Sequence, residues 1–115
     1  MAMAYNKYGV SRKSDRTMDN ITFASKKEML RYYELKLLLK AGEITDLELQ
    51  PKYLLLEGFT KNGEWFPPIN YIADFKYIEN GETIIEDCKG MKTVVYTIKR
   101  KLFEYEYKNL TIKEV

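Results

Sequence analysis

From Ser25 onward the apolar positions fall at helical spacing. Glu28, Tyr32, Leu35 and Leu39 follow one another at intervals of four, three and four, so one stripe runs from a carboxylate into apolar residues. Ser25 is a good N-cap and Gly42 a good stop, which predicts a helix from Ser25 to about Ala41. The stretches ITDLELQ and KYLLLEGF then read as strands interrupted by Gln50-Pro51, and Lys61-Asn62-Gly63 reads as a turn. Trp65-Phe66-Pro67-Pro68 is an apolar connection, expected as a lid on the core more than as an interface. The run YIADFKYIENGETIIEDCK changes to a period of two around Asn80-Gly81, the strongest local signal for a two-residue type I′ hairpin. Gly90 ends that hairpin. A second helix is predicted from about Thr93 to Tyr107, with Val95, Ile98, Leu102 and Tyr105 on its apolar face, and LTIKEV alternates as a last strand.

The predicted order is α, β, β, β, α, β. A helix between the hairpin's second strand and the terminal strand lets those two pair in parallel through a right-handed crossover. The expectation is an α/β fold with a mixed β-sheet flanked by helices. Residues 1–20 are polar and basic with no sustained period, and read as a flexible arm ahead of a single domain over 21–115.

The hairpin brings the chemistry into view. If Asn80-Gly81 closes the turn, Glu79 faces Glu82, Tyr77 faces Ile84, Phe75 faces Glu86 and Asp74 faces Asp87. Lys89 lies two residues beyond Asp87 and on its side of the strand. Like charges opposite each other destabilise a sheet, and a divalent cation is the natural compensation. On this count the face carrying Asp74, Asp87 and Lys89 also carries Ile72, Ile78 and Ile85, and Glu86 points the other way.

Composition narrows the options. The chain has no histidine and one cysteine, Cys88, which excludes histidine-based hydrolases, internal disulfides and the usual zinc sites. Metal chemistry is left with oxygen donors, hence Mg²⁺ or Mn²⁺. Nineteen Lys plus Arg against seventeen Asp plus Glu leave a net charge of only +2, so any nucleic-acid surface must come from local clusters. With no apolar leader at the start and no long apolar run, the chain reads as cytoplasmic, with no membrane partner.

Ala73-Asp74 followed by Asp87-Cys88-Lys89, with Glu28 on the first helix and the αβββαβ order, resembles the PD-(D/E)xK nuclease superfamily. FASKKEMLRYYELKLLLKAGEI, LELQPKY, YIADFKY, EDCKG and KRKLFEYEY further resemble small phage-type proteins related to Holliday junction resolvases. The superfamily's proline is Ala73 here, and its commoner second glutamate is Asp87. The resemblance implies a restriction-endonuclease-like core and a Mg²⁺-dependent endodeoxyribonuclease, structure-selective in the manner of a junction resolvase. It implies catalytic roles for Glu28, Asp74, Asp87 and Lys89. Metal ligation would come from Asp74, Asp87 and the Cys88 backbone carbonyl, with Glu28 joining through water. The implied host is a bacterial or phage-infected cell, the process DNA recombination and the assembly a homodimer acting on branched DNA.

Other readings of the same residues stand beside these. Ser25-x-x-Glu28 is also a capping box. Gln50 resembles a polar neighbour of the metal but equally suits a strand bend before proline. Lys7, Arg12 and Lys13 in the arm, and Lys92, Lys99 and Arg100 at or after the site strand, are candidate DNA contacts or solvated surface. A non-catalytic DNA-binding or assembly module of the same fold, or an end- or sequence-specific nuclease, is the alternative function.

Overall fold

The computed structural model describes residues 11–89 and 91–115, which divide into two units at Glu43 and Ile44. Lys7 and the rest of residues 1–10, and the strand stop expected at Gly90, lie outside the described residues.

In the first unit, residues 11–20, assigned to the arm from sequence, take defined structure. A 3₁₀ turn over Lys13–Arg16 leads into β1 (Thr17–Met18), which pairs antiparallel with β2 (Ile21–Thr22). Asp19 and Asn20 make the reversal at φ 54° and 62°, the left-handed region that Asp and Asn tolerate best. The Arg16 guanidinium ties the segment down, donating to the Ser11 carbonyl at 3.0 Å and the Phe23 carbonyl at 2.7 Å. α1 spans Lys26–Lys40, with Ser25 Oγ accepting from the Glu28 N–H at 3.1 Å and Gly42 at φ 79° beyond its C-terminus. Its buried stripe is Glu28, Met29, Tyr32 and Leu35, and the Tyr32 hydroxyl donates to Asp19 at 2.8 Å.

The second unit holds β3 (Thr45–Leu49), β4 (Lys52–Leu56), β5 (Phe59–Lys61), β6 (Glu64–Phe66), β7 (Ile69–Ile72), β8 (Phe75–Glu79), β9 (Glu82–Asp87), α2 (Val94–Glu106) and β10 (Ile112–Glu114). Four strands form a mixed sheet in the order β10-β9-β8-β3. β9 is antiparallel to β8 and parallel to β10, the crossover through α2 that the sequence predicts. The hairpin register also holds: Glu79 faces Glu82, Tyr77 faces Ile84 and Phe75 faces Glu86.

β4 and β7 continue β3 and β8 past a shared break, at Gln50-Pro51 on one side and Ala73-Asp74 on the other. Gln50 sits at φ 51°, a strained conformation for a residue preceding proline, and Pro51 has no N–H for the ladder. The two sides stay joined by Gln50 N–H to the Asp74 carbonyl at 2.9 Å and Ala73 N–H to the Pro51 carbonyl at 3.1 Å.

That break overturns the expected faces. Tyr71 and Ala73 join Ile85, Leu55, Tyr96, Phe103 and Ile112 in one core cluster, whereas the Tyr77 hydroxyl reaches Glu86, which neighbours Ile85 on the opposite face of β9. The alternation therefore does not run through Asp74, and Ile72, expected on the face of Asp87, is 55% exposed.

α2 also packs on a different stripe from the one the spacing predicts. Tyr96 and Phe103 are buried, while Val95, Ile98 and Tyr105 are exposed. Aromatic area decides this, because Phe103 meets Tyr53 and Tyr71 edge-on at 5.1 and 5.6 Å and stacks on Tyr107 at 5.0 Å. Trp65, expected in a core lid, is 60% exposed on the β5–β6 hairpin, where Phe59 and Phe66 stack at 4.8 Å. Among the described residues no helix is long and apolar enough to cross a membrane.

Phe103→Ala should cost about 3–5 kcal/mol in urea unfolding, since it empties the centre of the cluster. Gly81→Ala, forced into φ 78° with open space around it, should cost only about 1 kcal/mol.

Candidate active site

Burying a carboxylate without partners is costly, so a carboxylate in a core identifies its own environment. Asp87, at the end of β9, is 1% exposed. The Tyr71 hydroxyl donates to its Oδ2, and Lys89 Nζ stands 3.1 Å from its Oδ1. Lys89 is held on a second side by the Tyr96 ring, whose centroid lies 4.3 Å from Nζ, a cation–π contact. Backbone bonds fix the strand end: Val115 N–H donates to the Asp87 carbonyl at 3.0 Å, and Lys89 N–H to the Val115 carbonyl at 3.3 Å.

Asp74 lies in the break before β8. Its N–H donates to the Glu86 carbonyl at 3.0 Å, and its Oδ2 accepts from the Cys88 N–H at 2.6 Å. The acid in the break thus grips the backbone between Asp87 and Lys89, while the ladder of β8 and β9 ends at Phe75 and Glu86 and does not extend to the expected Asp74–Asp87 pair. Gln50, bonded by its N–H to the Asp74 carbonyl, neighbours this point across the break. The second unit therefore brings together Asp74, Asp87, Cys88, Lys89 and the backbone of Gln50. Glu28 belongs to the first unit, 4% exposed at the first turn of α1, with its N–H on the Ser25 cap.

Glu86 is fully buried on the opposite face of β9, where it accepts from the Tyr77 hydroxyl. The candidate DNA contacts separate into groups. Lys92 Nζ and Arg100 Nη1 both converge on Glu114 Oε1, at 3.2 and 3.1 Å, and the Tyr96 hydroxyl donates to Oε2 at 2.9 Å. Partial burial works against the charged form of Glu114, but Tyr96, Lys92 and Arg100 outweigh it and hold the carboxyl below its usual range. Lys99 makes no ion pair among the described residues. In the first unit Arg12 pairs with Asp15 at 3.5 Å, and Lys13 opens the 3₁₀ turn.

Two tyrosines escaped the sequence reading. Tyr71 precedes Asp74 by three residues, and strict alternation would have turned it away from Asp87; only the break brings it round. Tyr96 showed no signal beyond the chain's excess of tyrosine, ten in all. Burial, then the Asp87 hydrogen bond, push the Tyr71 hydroxyl far above its ordinary value, and burial with Glu114 does the same for Tyr96. Both hydroxyls therefore keep their protons to higher pH than an ordinary tyrosine.

The donor set defines what the site could hold. Among the described residues no three Asp, Glu, Cys or His side chains gather as a ready ligand cage. Two carboxylates and the Cys88 carbonyl are on hand, and each carboxylate oxygen engaged by a protein donor keeps a second lone pair. Such a set fits an ion that binds through one or two carboxylates and fills its shell with water and substrate phosphate, which describes Mg²⁺ better than Ca²⁺ or Zn²⁺.

Residues 5–115 match the model of the family described as Protein of unknown function (DUF1064), and the chain belongs to that family. No curated protein and no solved structure matches it.

Because Tyr71 and Tyr96 are raised in the folded state, the folded chain holds more protons than the unfolded one above about pH 10, the ordinary tyrosine value. Their contribution to stability is full below that pH and is lost as pH rises through it. Unfolding midpoints measured from pH 8 to 11 should fall over the upper part of the range. Tyr71→Phe should flatten the fall and cost about 1–2 kcal/mol at pH 8 by removing the donor to buried Asp87.

Proposed function

We propose that this protein is a Mg²⁺-dependent endodeoxyribonuclease of the PD-(D/E)xK type. In this reading its mixed sheet and helices form a restriction-endonuclease-like core, and it acts as a homodimer on branched DNA, such as a four-way junction, in the cytoplasm of a bacterial or phage-infected cell. The observation that carries the reading is the convergence of Asp74, Asp87 and Lys89 at the open end of one hairpin. There a buried carboxylate lies 3.1 Å from a lysine, and a second carboxylate accepts from the peptide between them.

Asp74, Asp87 and the Cys88 carbonyl would hold the ion, with Gln50 as an outer neighbour. Bound there, Mg²⁺ would supply positive charge to the phosphate and make water more acidic. The chain's own residues do the rest. Lys89, fixed between Asp87 and the Tyr96 ring, keeps its ammonium beside the carboxylates, where it orients the attacking water and offsets charge growing on the phosphate oxygens. Tyr71 holds the Asp87 carboxylate in one orientation, and the Asp74–Cys88 bond sets the carbonyl between the two motif residues. Lys99, together with Lys92 and Arg100 once they exchange Glu114 for phosphate, supplies sequence-independent attraction. Arg12 and Lys13, with Lys7, are further candidate phosphate contacts.

Four-way junction, nicked duplex, linear duplex and single-stranded DNA incubated with Mg²⁺ should show cleavage of the junction above the others, and EDTA should abolish it. Asp74→Asn, Asp87→Asn and Lys89→Ala should each lose at least about a hundredfold in rate, while Glu86→Gln, on the other face, stays within severalfold of wild type. Independently of turnover, Mn²⁺ should raise the melting temperature of the wild type and leave Asp74→Asn and Asp87→Asn unmoved. DNA binding without any cleavage under Mg²⁺ or Mn²⁺ would establish the non-catalytic module instead.

A further inference from the structure

Between β7 and the first turns of α2 lies a hollow of about 250 Å³. Asn70 and Ile72 line it from the strand, and Thr93, Val95 and Lys99 from the helix. Lys89 also lines it, so the hollow shares with the site the lysine that pairs with Asp87. The buried rings of Tyr71 and Tyr96 belong to its lining as well.

Three features give this hollow a chemical preference. It carries two ammonium groups and an amide and no carboxylate, whereas the hollows beside Glu82 and beside Glu57 and Glu106 both include acids. The amino-terminal end of α2, capped by Thr93, adds its partial positive charge on the same side. Ile72 and Val95, 55% and 63% exposed, leave apolar surface between the polar groups. Cations, an amide donor and a small apolar wall together suit one sugar-phosphate unit of a nucleic-acid strand, the phosphate on Lys99 and Asn70 and the sugar against Ile72 and Val95.

Resting on the nuclease reading, we propose that this hollow seats the nucleotide next to the scissile phosphate. Asn70 and Lys99 then position the strand relative to Lys89 without touching the reacting atoms. Lys99 is suited to this because, unlike Lys92 and Arg100, it has no carboxylate to leave among the described residues.

The test uses the full chain with cleavable duplex or junction DNA in Mg²⁺, comparing wild type with Asn70→Ala, Lys99→Ala and the double variant, each confirmed as folded by its melting temperature. KM for the double variant should rise about tenfold or more with kcat within twofold, and the slope of log affinity against log salt should fall by about one for Lys99→Ala. A single neutral methylphosphonate placed in turn on each side of the cleaved bond should slow wild type at one position only, and that sensitivity should vanish in Lys99→Ala. Wild-type cleavage with unchanged KM in the double variant, or equal methylphosphonate sensitivity in Lys99→Ala, overturns the seat and leaves the nuclease reading standing. Absence of wild-type cleavage with both Mg²⁺ and Mn²⁺ overturns both.

Discussion

A carboxylate removed from water has to be matched by donors, and around Asp87 that requirement organises the whole second unit. Its two oxygens draw a tyrosine from β7 and a lysine from the strand's own continuation, while its backbone carbonyl draws the terminal segment through Val115. Tyr71 and Val115 come from different stretches of chain, so the side chain and backbone of this one residue together tie β7 and the segment after β10 to the end of β9. Taking away one partner of such a buried group costs more than the bond itself, since the remaining charge is stranded.

The break at Gln50-Pro51 and Ala73-Asp74 makes this possible. An unbroken β7–β8 strand would keep Tyr71 on the face of Phe75 and Tyr77, away from Asp87. With the interruption, Tyr71 and Ala73 turn into the cluster around Phe103, and Asp74 is left at the corner with its side chain on the Cys88 peptide. The left-handed Gln50 is a local cost borne at this corner, and backbone strain of that kind is commonest where a structure binds or reacts. Under the nuclease proposal the corner and the chemistry coincide.

Much of this was legible in the residues. Asn80-Gly81 set the hairpin register, Ser25 and Gly42 bounded α1, and the acid-x-lysine run after a strand pointed to Asp87 and Lys89. What was not legible depends on information a local pattern lacks. The periodicity of α2 offered Val95, Ile98, Leu102 and Tyr105, yet Tyr96 and Phe103 won the core because their rings meet Tyr71 and Tyr53, partners distant in sequence. Ile72 was assigned to the wrong face, and Tyr71 went unnoticed, because alternation was carried through a corner that only the pairing of two non-adjacent segments reveals. Trp65 looked like core material by composition and proved to be the exposed part of a short hairpin.

The parallel pairing of β9 with β10 has a temporal meaning. Ile85 meets Ile112, and the Asp87 carbonyl the Val115 amide, only because the chain returns across the sheet through α2. During synthesis both motif acids leave the ribosome well before the strand that braces them, and non-local pairings of this sort are slow to close. The end of β9 that carries Asp87 therefore depends on a non-local pairing with β10 as well as on the local hairpin with β8.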